Sequence, residues 1–521
     1  MIVYNMTETK KQLMLAMVLL LTSVVAGAKE KGATVAYSSQ FTYIGQAKDY
    51  EASTFGIQGN GNVLCTHNIQ QAIDKISAKG GGRLIFRPGR YLTGSIVLKS
   101  GVELHFEQGA TLLGSTNPMD YPRLEVSGEG DRARQDNSKM ALILAQDAEN
   151  IALTGQGCID GNGLQLALNI DSLIHEGVLT DPHYNTRRNR PNETMRPKLF
   201  FFSGCKGVRV TELSLRNSAC WGLSFDLCRE MTIDGINFVN RAYWNNDGID
   251  VTDCQQVRIT NCDINAADDG ICLKSYHADS CCDSILIDNC TIASSASAVK
   301  FGTASWGGFK HIKVTNIRVK DTFRSAIAIE SVDGGVIDDV LVDGITAINT
   351  GNAIFVRLGT RAGQHPSQLR NVIIRNLYCE VPFGRPDIDY DLRGPEVNEF
   401  HNPFPSSITG LPEHRVENVL IEHVEIVAPG RATRGMAYVP LSRLSAVPER
   451  AEQYPEFSMF GELPAWGFYV RHVDNIRFRD VRLCLKEADF RPAFVLDDVK
   501  DFDFQDVQAD GGDKDKNIFI R

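Results

Sequence analysis

A segment of one pattern recurs six times in the middle of the chain, and this repeat restricts the fold more than any other feature. Each copy has a starting residue, then Gly or Ala, an aliphatic residue, a variable residue, a second apolar residue and another variable residue. The copies start 26, 22, 28, 28 and 27 residues apart, at Trp221, Asp247, Asp269, Ser297, Ser325 and Asn352. A period of this length is typical of a solenoid that makes one turn per repeat.

Alternation within each copy predicts which side chains face the interior, because successive residues of a strand point to opposite faces. The third and fifth positions should stack inward as two apolar columns, formed by Leu223 and Phe225, Ile249 and Val251, Ile271 and Leu273, Val299 and Phe301, Ile327 and Ile329, and Ile354 and Val356. The first, fourth and sixth positions then point outward. The pattern predicts an all-β fold, a parallel β-solenoid.

Three aspartates occupy outward positions in two neighbouring copies. Asp247 and Asp269 hold the same first position, on turns that stack roughly 4.8 Å apart, and Asp268 lies one residue earlier at the strand edge. The sequence therefore predicts three carboxylates that converge on one exposed point. The alternative is that they are turn aspartates that only cap backbone groups, but scattered turn residues are not expected to fall in register.

The regions on both sides of the repeat have the same character. Ile69, Ile73 and Ile76 recur at helical spacing between Thr66 and Ala78, with Thr66 as the cap, which predicts a helix that covers the open end of the solenoid. Further strands are predicted at Gly82–Phe86, Ser95–Leu98, Val102–Phe106, Ala141–Ala145, Ile151–Thr154, Val208–Leu215, Ile285–Ile292, Val314–Val319, Val372–Leu377, Val419–Ile426, Trp466–Val473, Ile476–Leu485 and Phe494–Val507. No low-complexity linker interrupts them, so residues 29–521 are predicted to be a single domain.

The N-terminus has the features of a cleavable secretory signal. Two lysines at positions 10 and 11 precede the apolar run Leu13–Val25, and the small residues Ala26–Ala28 follow it. The run is short for a membrane anchor, and no cysteine follows the cleavage site as a lipoprotein would require. Residues 1–28 are therefore predicted to be a signal peptide, and the protein to be secreted or periplasmic without a membrane anchor.

Charge and cysteine content exclude several classes of partner. The formal net charge of −10 becomes −11 when residues 1–28, with two lysines and one glutamate, are removed. An acidic protein of this kind is not expected to bind nucleic acid or anionic lipid. The thirteen cysteines are an odd number, so at least one thiol is unpaired or bonds to another chain. We expect core or strand cysteines rather than a dense disulfide framework, and no tight Cys/His group indicates zinc.

The aspartate motifs resemble those of glycoside hydrolase family 28, the polygalacturonases and rhamnogalacturonan hydrolases, which are right-handed parallel β-helices of the pectin lyase-like superfamily. The family's Asn-x-Asp motif matches Asn245 to Asp247, and its Asp-Asp motif matches Asp268 and Asp269, which begin 21 residues after Asp247. A second resemblance, to the superfamily's N-terminal segment (here about residues 50–115), lies in Phe55–Gly61 and Gly80–Tyr91.

The resemblance implies an inverting hydrolase that needs no metal or cofactor. Asp247 and Asp269 would hold and deprotonate a water molecule, and Asp268 would donate a proton to the leaving oxygen, because two neighbouring anions favour its protonated form. Substrate-binding residues are predicted at Asn245, Lys274, Lys300, Arg357, Trp244 and Trp306. Shaping of the loop is the alternative role for Asn245, and a structural role is the alternative for the tryptophans.

The chain departs from the family pattern at two outward positions. Polygalacturonases have Gly-His-Gly one turn beyond the aspartates, where this chain has Ala296–Ala298, and then Arg-Ile-Lys, where it has Ala328–Glu330. Lys300 and Arg357 lie on the turns before and after this second departure and could bind a substrate carboxylate instead, while Lys274 matches a lysine of the family. A ladder ion pair with Glu330 is the alternative for Arg357.

Two insertions, at about residues 162–198 and 380–415, break the repeat. Insertions on one face of a solenoid commonly carry binding specificity, and loops at both ends of a groove would favour attack at a chain end. The first insertion contains Arg187, Arg188 and Arg190, which could clamp carboxylates or form a solvated basic loop.

These observations predict a secreted, monomeric, exo-acting hydrolase of α-linked galacturonic acid. Its partner would be a pectic polysaccharide or oligosaccharide, of rhamnogalacturonan type or plain polygalacturonan. Two alternatives remain open: a pectate or rhamnogalacturonan lyase on the same fold, which would need calcium and a basic residue, and a non-catalytic glycan-binding solenoid.

Overall fold

A computed structural model describes residues 48–124, 138–362, 366–386, 403–436, 439–510 and 517–521. The compact unit that contains them extends from Ser39 to Arg521. The predicted signal peptide, residues 1–28, lies outside the described residues. No helix among the described residues is long and apolar enough to cross a membrane.

The described residues form 31 strands, all joined in one parallel sheet that coils on itself. Their bounds are Asp49–Glu51 (β1), Asn60–Leu64 (β2), Gly82–Phe86 (β3), Gly89–Thr93 (β4), Ile96–Leu98 (β5), Val102–Phe106 (β6), Ala110–Gly114 (β7), Ala141–Gln146 (β8), Glu149–Thr154 (β9), Cys158–Asp160 (β10), Lys198–Ser203 (β11), Lys206–Thr211 (β12), Ser214–Arg216 (β13), Leu223–Asp226 (β14), Arg229–Asp234 (β15), Asn237–Asn240 (β16), Ile249–Thr252 (β17), Gln255–Thr260 (β18), Asp263–Ala266 (β19), Ile271–Ser275 (β20), Cys282–Asp288 (β21), Thr291–Ser294 (β22), Val299–Ser305 (β23), Gly308–Ser331 (β24), Val336–Leu358 (β25), Gln368–Glu380 (β26), Ser406–Thr409 (β27), Val416–Ala428 (β28), Phe468–Leu485 (β29), Phe494–Ala509 (β30) and Ile518–Ile520 (β31). The prediction of an all-β parallel β-helix is confirmed.

Two α-helices accompany the sheet, α1 (Thr66–Ala78) and α2 (Gly163–His175), together with short 3-10 helices at Ala52–Phe55, Pro118–Asp120, Glu193–Met195, Arg434–Met436 and Leu441–Ala446. Helix α1 has the predicted bounds, buries its isoleucine face and packs against β3, β5 and β6. The predicted cap is wrong by one residue. Cys65 is the N-cap, and the Thr66 hydroxyl instead accepts a 2.7 Å hydrogen bond from the backbone N–H of Gly94.

The register of the parallel strands reproduces the predicted columns. Ile249 pairs with Ile271, which pairs with Val299, and the same order continues along the neighbouring turns. All twelve predicted inward residues are buried in one continuous core. The 26- to 28-residue period therefore reflects one coil per repeat, and the shorter 22-residue step brings the two aspartate turns together without a shift in register.

A second apolar cluster lies on the outside of the later turns. Residues 439–465, here called the covering segment, supply Leu444, Phe457 and Phe460 to this cluster. They pack on Ala328, Phe355, Tyr469 and Val495, which occupy outward positions of β24, β25, β29 and β30. Removal of these apolar side chains from water stabilises the folded state. This segment is therefore part of the folded body rather than a loose loop.

All thirteen cysteines are free thiols, and ten of them are buried. Cys205, Cys228 and Cys254 stack at equivalent turn positions. The backbone N–H of Arg229 donates to the carbonyl of Cys205, and that of Gln255 donates to the carbonyl of Cys228. The interpretation as core and strand cysteines, rather than a disulfide framework, is confirmed.

Candidate active site

The three predicted aspartates come together where β17 and β20 begin. The backbone N–H of Gly248 donates to the carbonyl of Asp269 at 2.9 Å, which fixes Asp247 directly above Asp269 on the next turn. One oxygen from each of the carboxylates of Asp247, Asp268 and Asp269 lies within 4.8 Å of the others. The predicted convergence on one point is therefore observed.

Tight backbone contacts explain why this loop adopts a single conformation. A Cβ atom at Gly248 would lie 2.3 Å from the carbonyl oxygen of Gly270, so only glycine fits between the two turns. The Asn240 side chain donates to the carbonyl of Asp247 at 2.8 Å, and the fully buried Asn246 side chain donates to the carbonyl of Cys220 at 2.6 Å. The aspartates are thus held on rigid, hydrogen-bonded backbone.

The carboxylates lie in a pocket and not at an exposed point, which corrects one part of the prediction. Asp247 and Asp269 are only 4% and 3% exposed, and Asp268 is half-buried. The pocket has a volume of about 200 Å³ and is lined by Glu193, Trp221, Asn245, Asp247, Asp268, Asp269, Lys274, Tyr276, Lys300, Thr303, Ala304, Arg361 and Tyr454. Walls supplied by distant parts of the chain, such as Glu193 and Tyr454, bury what the repeat alone would leave open.

Asp269 is held in its ionised form. Its Oδ2 accepts a 3.0 Å hydrogen bond from the ammonium of Lys300, and its Oδ1 accepts a 3.1 Å bond from the backbone N–H of Ser297. Burial by itself raises the pKa of this carboxyl, but the charges of Lys300, Lys274 and Arg324 more than offset burial, and the pKa lies below its usual range. Asp269 therefore remains available as a base.

The other two carboxyls favour their protonated forms. Burial, followed by the negative charge of Asp269, raises the pKa of Asp268 to about 6. Burial and the nearby Asp250 carboxylate also raise the pKa of Asp247 well above its usual range. The Lys274 ammonium lies 3.0 Å from Asp250 and 3.6 Å from Asp247, so one cation is shared by two buried carboxyls. The cluster thus holds acids and a base side by side.

Two predicted substrate-binding lysines and Asn245 line the pocket, but each already has protein partners. Lys300 contacts Asp269 and donates a 3.0 Å hydrogen bond to the Tyr454 hydroxyl. Asn245 has a left-handed φ of 55° and accepts a 2.8 Å bond from Arg196. Asn245 therefore shapes the loop, as one of its two predicted roles required, and also faces the pocket.

Three other predicted substrate-binding residues lie outside the pocket lining. Arg357 is 1% exposed, and its guanidinium binds Thr409, the carbonyl of Gly410 and the carbonyl of Glu449, so neither the substrate role nor the ion pair with Glu330 is found. Trp306 follows the far end of β23, seven residues from its start, because the strand is longer than the repeat pattern indicates.

Trp244 lies beside the pocket, but its ring is covered. The guanidinium carbons of Arg190 and Arg188 lie 4.2 Å and 5.1 Å from the ring centroid. Trp221, in contrast, does line the pocket, and the ammonium groups of Lys198 and Lys274 lie 4.6 Å and 4.7 Å from its ring. Trp221, which starts the first copy of the repeat, therefore lines the pocket, whereas the predicted Trp244 and Trp306 do not.

Several residues of the site were not identified from the sequence. Arg196 is fully buried and donates to the carbonyls of Ala219 and Trp244 at 2.7 Å and 2.6 Å. Arg324 pairs with Glu456 of the covering segment at 3.3 Å. The only sequence signal for such residues is a charged side chain in a non-periodic stretch, and that signal does not specify a partner.

Among the residues that the structure describes, two groups of side chains have ligand atoms close enough to share a cation: the three pocket aspartates, and Asp226, Asp253 and His277. In the second group both Asp253 oxygens already accept hydrogen bonds, one from the Ser275 hydroxyl at 2.5 Å and the other from the backbone N–H groups of Tyr276 and His277. In the first group Lys274 and Lys300 already supply positive charge. A metal ion would have to displace these hydrogen bonds in the second group and would face these ammonium groups in the first.

Comparison with known proteins gives a consistent result. The sequence model of glycosyl hydrolases family 28 matches residues 91–336, which include all three aspartates. A probable polygalacturonase of Vitis vinifera is 25% identical over 70% of this chain and 67% of its own length. An exo-poly-alpha-D-galacturonosidase of Dickeya chrysanthemi is 26% identical over 42% of this chain, and the chain matches 40% of that enzyme.

The fold is shared with solved members of the same family. The family 28 exopolygalacturonase of Yersinia enterocolitica superposes with a TM-score of 0.56 and 18% identity, over 90% of this chain and 79% of that one. The family's sequence model spans the aspartate cluster, and the described residues coil as a parallel β-helix around it. Residues 91–336 of this chain therefore match glycosyl hydrolases family 28, a family of glycoside hydrolases, and the described residues have the right-handed parallel β-helix fold.

Proposed function

We propose that this protein is a secreted, inverting, exo-acting hydrolase that removes α-linked galacturonic acid from pectic polysaccharide or oligosaccharide. The observation that carries the proposal is the small pocket in which three carboxyls with different proton affinities lie beside two ammonium groups. Secretion is supported by the basic and apolar N-terminal residues. A monomer is part of the same proposal.

The three carboxyls divide the chemistry of hydrolysis. Asp268 donates its proton to the glycosidic oxygen as the bond from that oxygen to the anomeric carbon breaks. Asp269 removes a proton from the attacking water, whose oxygen forms the new bond to the anomeric carbon. Asp247, whose pKa is raised, holds the same water by a hydrogen bond. The proton taken up by Asp269 and the proton given by Asp268 balance over one turnover.

Recognition of an acidic sugar is supported by the charge of the pocket wall. Lys274 and Lys300 lie on neighbouring turns. The Lys300 ammonium bonds to Asp269 and to the Tyr454 hydroxyl, which leaves one of its three N–H donors for a uronate. The Lys274 ammonium lies near Asp247, Asp250 and the Cys272 sulfur and contributes its positive charge. Relatives of this chain are named as polygalacturonases and as an exo-poly-alpha-D-galacturonosidase. We infer that the substrate of this chain also carries a uronate.

Attack at a chain end is supported by the short distance between two covered stretches of the β-helix surface. The outward column that contains Asp250 and Lys300 continues in both directions as apolar residues that are covered by other parts of the chain. Four turns lie between these two covered stretches, or roughly 15–20 Å at the spacing of parallel strands, and access there is through the pocket, because their column residues are at most 3% exposed. A polymer lying lengthwise would be obstructed at both ends, whereas one end of a chain can enter the pocket.

The inverting outcome rests on the family and not on the carboxyl separation. Closest oxygen distances of at most 4.8 Å are shorter than the roughly 6.5–9.5 Å that usually separates the carboxyl groups of inverting enzymes. Proton NMR of the first product decides the question. We expect the β-anomer of galacturonic acid to appear before mutarotation, with the monosaccharide as the first product from a uronate oligomer. An α-anomer, or a mixture of longer fragments, would contradict the proposal.

A lyase is the second candidate, because the three carboxylates could hold a calcium ion. A lyase would generate an unsaturated uronide with strong ultraviolet absorbance, and a chelator would abolish its activity. We expect new reducing ends without this absorbance, and unchanged rates in EDTA. Binding of the oligomer with neither product would instead identify a non-catalytic binding protein.

A further inference from the structure

The insertion at residues 162–198 places three arginines beside the pocket. Arg188 and Arg190 lie against the ring of Trp244, and Arg196 donates to the carbonyl of that tryptophan at 2.6 Å. We call Arg188, Arg190 and Arg196 the arginine cluster. Two guanidinium groups lie against one indole and a third binds the carbonyl of the same residue, with the Glu193 carboxylate 4.0 Å from Arg196. Guanidinium groups this close repel one another unless anions compensate them, so the cluster requires an explanation.

Arg190 has no anionic partner in the part of the chain that the structure describes. No carboxylate oxygen lies within 4.0 Å of its guanidinium, and its side chain donates no hydrogen bond. It is nevertheless partly removed from water, and burial together with the charges of Arg196 and Arg188 lowers its pKa by more than the carboxylates of Glu193 and Asp268 raise it. A partly desolvated cation among other cations is unfavourable in the free protein and becomes favourable when an anion binds.

Trp244 orients this arginine. A guanidinium 4.2 Å from an indole centroid makes a cation–π contact that holds the planar fork against the ring. Its N–H edge is thereby fixed in direction before a ligand arrives, which lowers the entropic cost of binding. The same contact covers the ring, so Trp244 acts through the arginines and not as a platform for a sugar.

The cluster adjoins the catalytic carboxyls. Asn245, which follows Trp244, lines the pocket and accepts a hydrogen bond from Arg196 at 2.8 Å. The charges of Glu193 and Asp268, which also line the pocket, act on Arg190. An anion bound by Arg190 would therefore lie beside the pocket that holds Asp268.

We propose that Arg190, oriented by Trp244 and supported by Arg188, binds the carboxylate of a uronate unit adjoining the cleaved bond. This inference rests on the proposed function, and it assigns to the insertion the carboxylate recognition that the absent Arg-Ile-Lys motif would otherwise provide. A bidentate pair between a guanidinium fork and a carboxylate suits this role better than a lysine would.

Titration calorimetry tests the subsite without turnover. Digalacturonate and its methyl ester are titrated into the inactive Asp269→Asn protein, with and without Arg190→Gln. We expect Arg190→Gln to weaken binding of the acid by roughly 10- to 100-fold and binding of the ester by less than about threefold. Arg190→Lys, which keeps the charge but loses the fork, should fall between the two and keeps the test valid if Arg190→Gln unfolds.

Arg90→Gln is the matched control, because it removes an exposed arginine of β4 that lies outside the pocket lining. It should leave binding of both ligands unchanged. Equal affinity of the acid for the proteins with and without Arg190, or no affinity at all, would overturn the subsite. The proposed function is judged separately, by release of reducing ends from digalacturonate in the wild-type protein, so the two failures are distinguishable.

Discussion

One column of outward side chains runs along the whole β-helix, and its middle differs from its ends. The column begins with Val97, Leu144 and Phe201, continues with Ser224, Asp250, Cys272 and Lys300, and ends with Ala328, Phe355, Ser407, Tyr469 and Val495. The first and last groups are mainly apolar and covered, by Leu124 and by the covering segment respectively. The middle group contains the charged residues and forms the floor of the pocket region.

This difference shows that the repeat determines the scaffold, and that the segments packed outside the coil, here called the outer layer, determine where the site lies. All members of the column have the same register and the same backbone environment. The middle group is at most 3% exposed but lies beside the pocket with its charged lining, whereas the end groups pack under apolar side chains and form a second core. Loss of Arg-Ile-Lys follows from the same division, since Ala328 replaces its first residue at the start of the covered part.

The largest expected effect is at the three aspartates of the pocket, beside the middle group of the column. Each of Asp247→Asn, Asp268→Asn and Asp269→Asn should lower kcat by about 10² to 10⁴ because each removes a group that holds or moves a proton. These side chains project from the outside of the helix, so circular dichroism should remain that of the wild type. The measurement is release of reducing ends from galacturonate oligomers.

A matched control is Asp283→Asn, which changes an outward aspartate of β21 outside the pocket lining. It should leave kcat unchanged. Near-wild-type turnover in Asp268→Asn would remove that residue as the acid, even if the other two variants were inactive.

These aspartates were predictable from sequence for a physical reason. The apolar columns and the register of the carboxylates depend on contacts between neighbouring turns. Residues that make these contacts recur at nearly regular intervals, so they can be located by counting along the sequence. The covering segment could not be predicted in this way. The hydrogen bond between Lys300 and Tyr454 joins residues 154 positions apart, and the stretch that contains Tyr454 has no period. The hydrogen bonds of Arg357 to the carbonyls of Gly410 and Glu449 also join distant, non-periodic parts of the chain, so the sequence does not predict them.

The covered end offers the second prediction. Phe457 is buried in the outer cluster, with its ring edge on Phe404 at a centroid distance of 5.3 Å. Phe457→Ala should lower the free energy of unfolding by about 3–5 kcal/mol, as for a phenylalanine of an ordinary core. Denaturant unfolding measures the loss, and Phe301→Ala in the inner core is the comparison. A loss below about 1 kcal/mol would mean that the covering segment only rests on the helix.

The pH profile sharpens the description of the middle. Asp268 must be protonated to donate, and its pKa is raised to about 6, so kcat/KM should fall roughly tenfold per pH unit above that value. Asp269 must be ionised, and its lowered pKa places the acidic limb below the usual range of an aspartate. Activity should therefore be highest in mildly acidic solution. Full activity at pH 8 would contradict the assigned acid.

The smallest expected effect lies where the two regions meet. Tyr454 belongs to the covering segment, yet its hydroxyl accepts a 3.0 Å hydrogen bond from Lys300, which in turn holds Asp269. Tyr454→Phe keeps the ring over which the ammonium lies at 5.3 Å and removes only the hydroxyl. One such bond is worth about 0.5–1.5 kcal/mol, so kcat/KM should fall roughly two- to tenfold, with the melting temperature nearly unchanged. Tyr378→Phe, which removes a hydroxyl bonded to Glu380 outside the pocket lining, is the control and should have no effect. If Tyr454→Phe also has no effect, the covering segment forms a wall of the pocket but its Tyr454 hydroxyl does not influence the chemistry of Asp269.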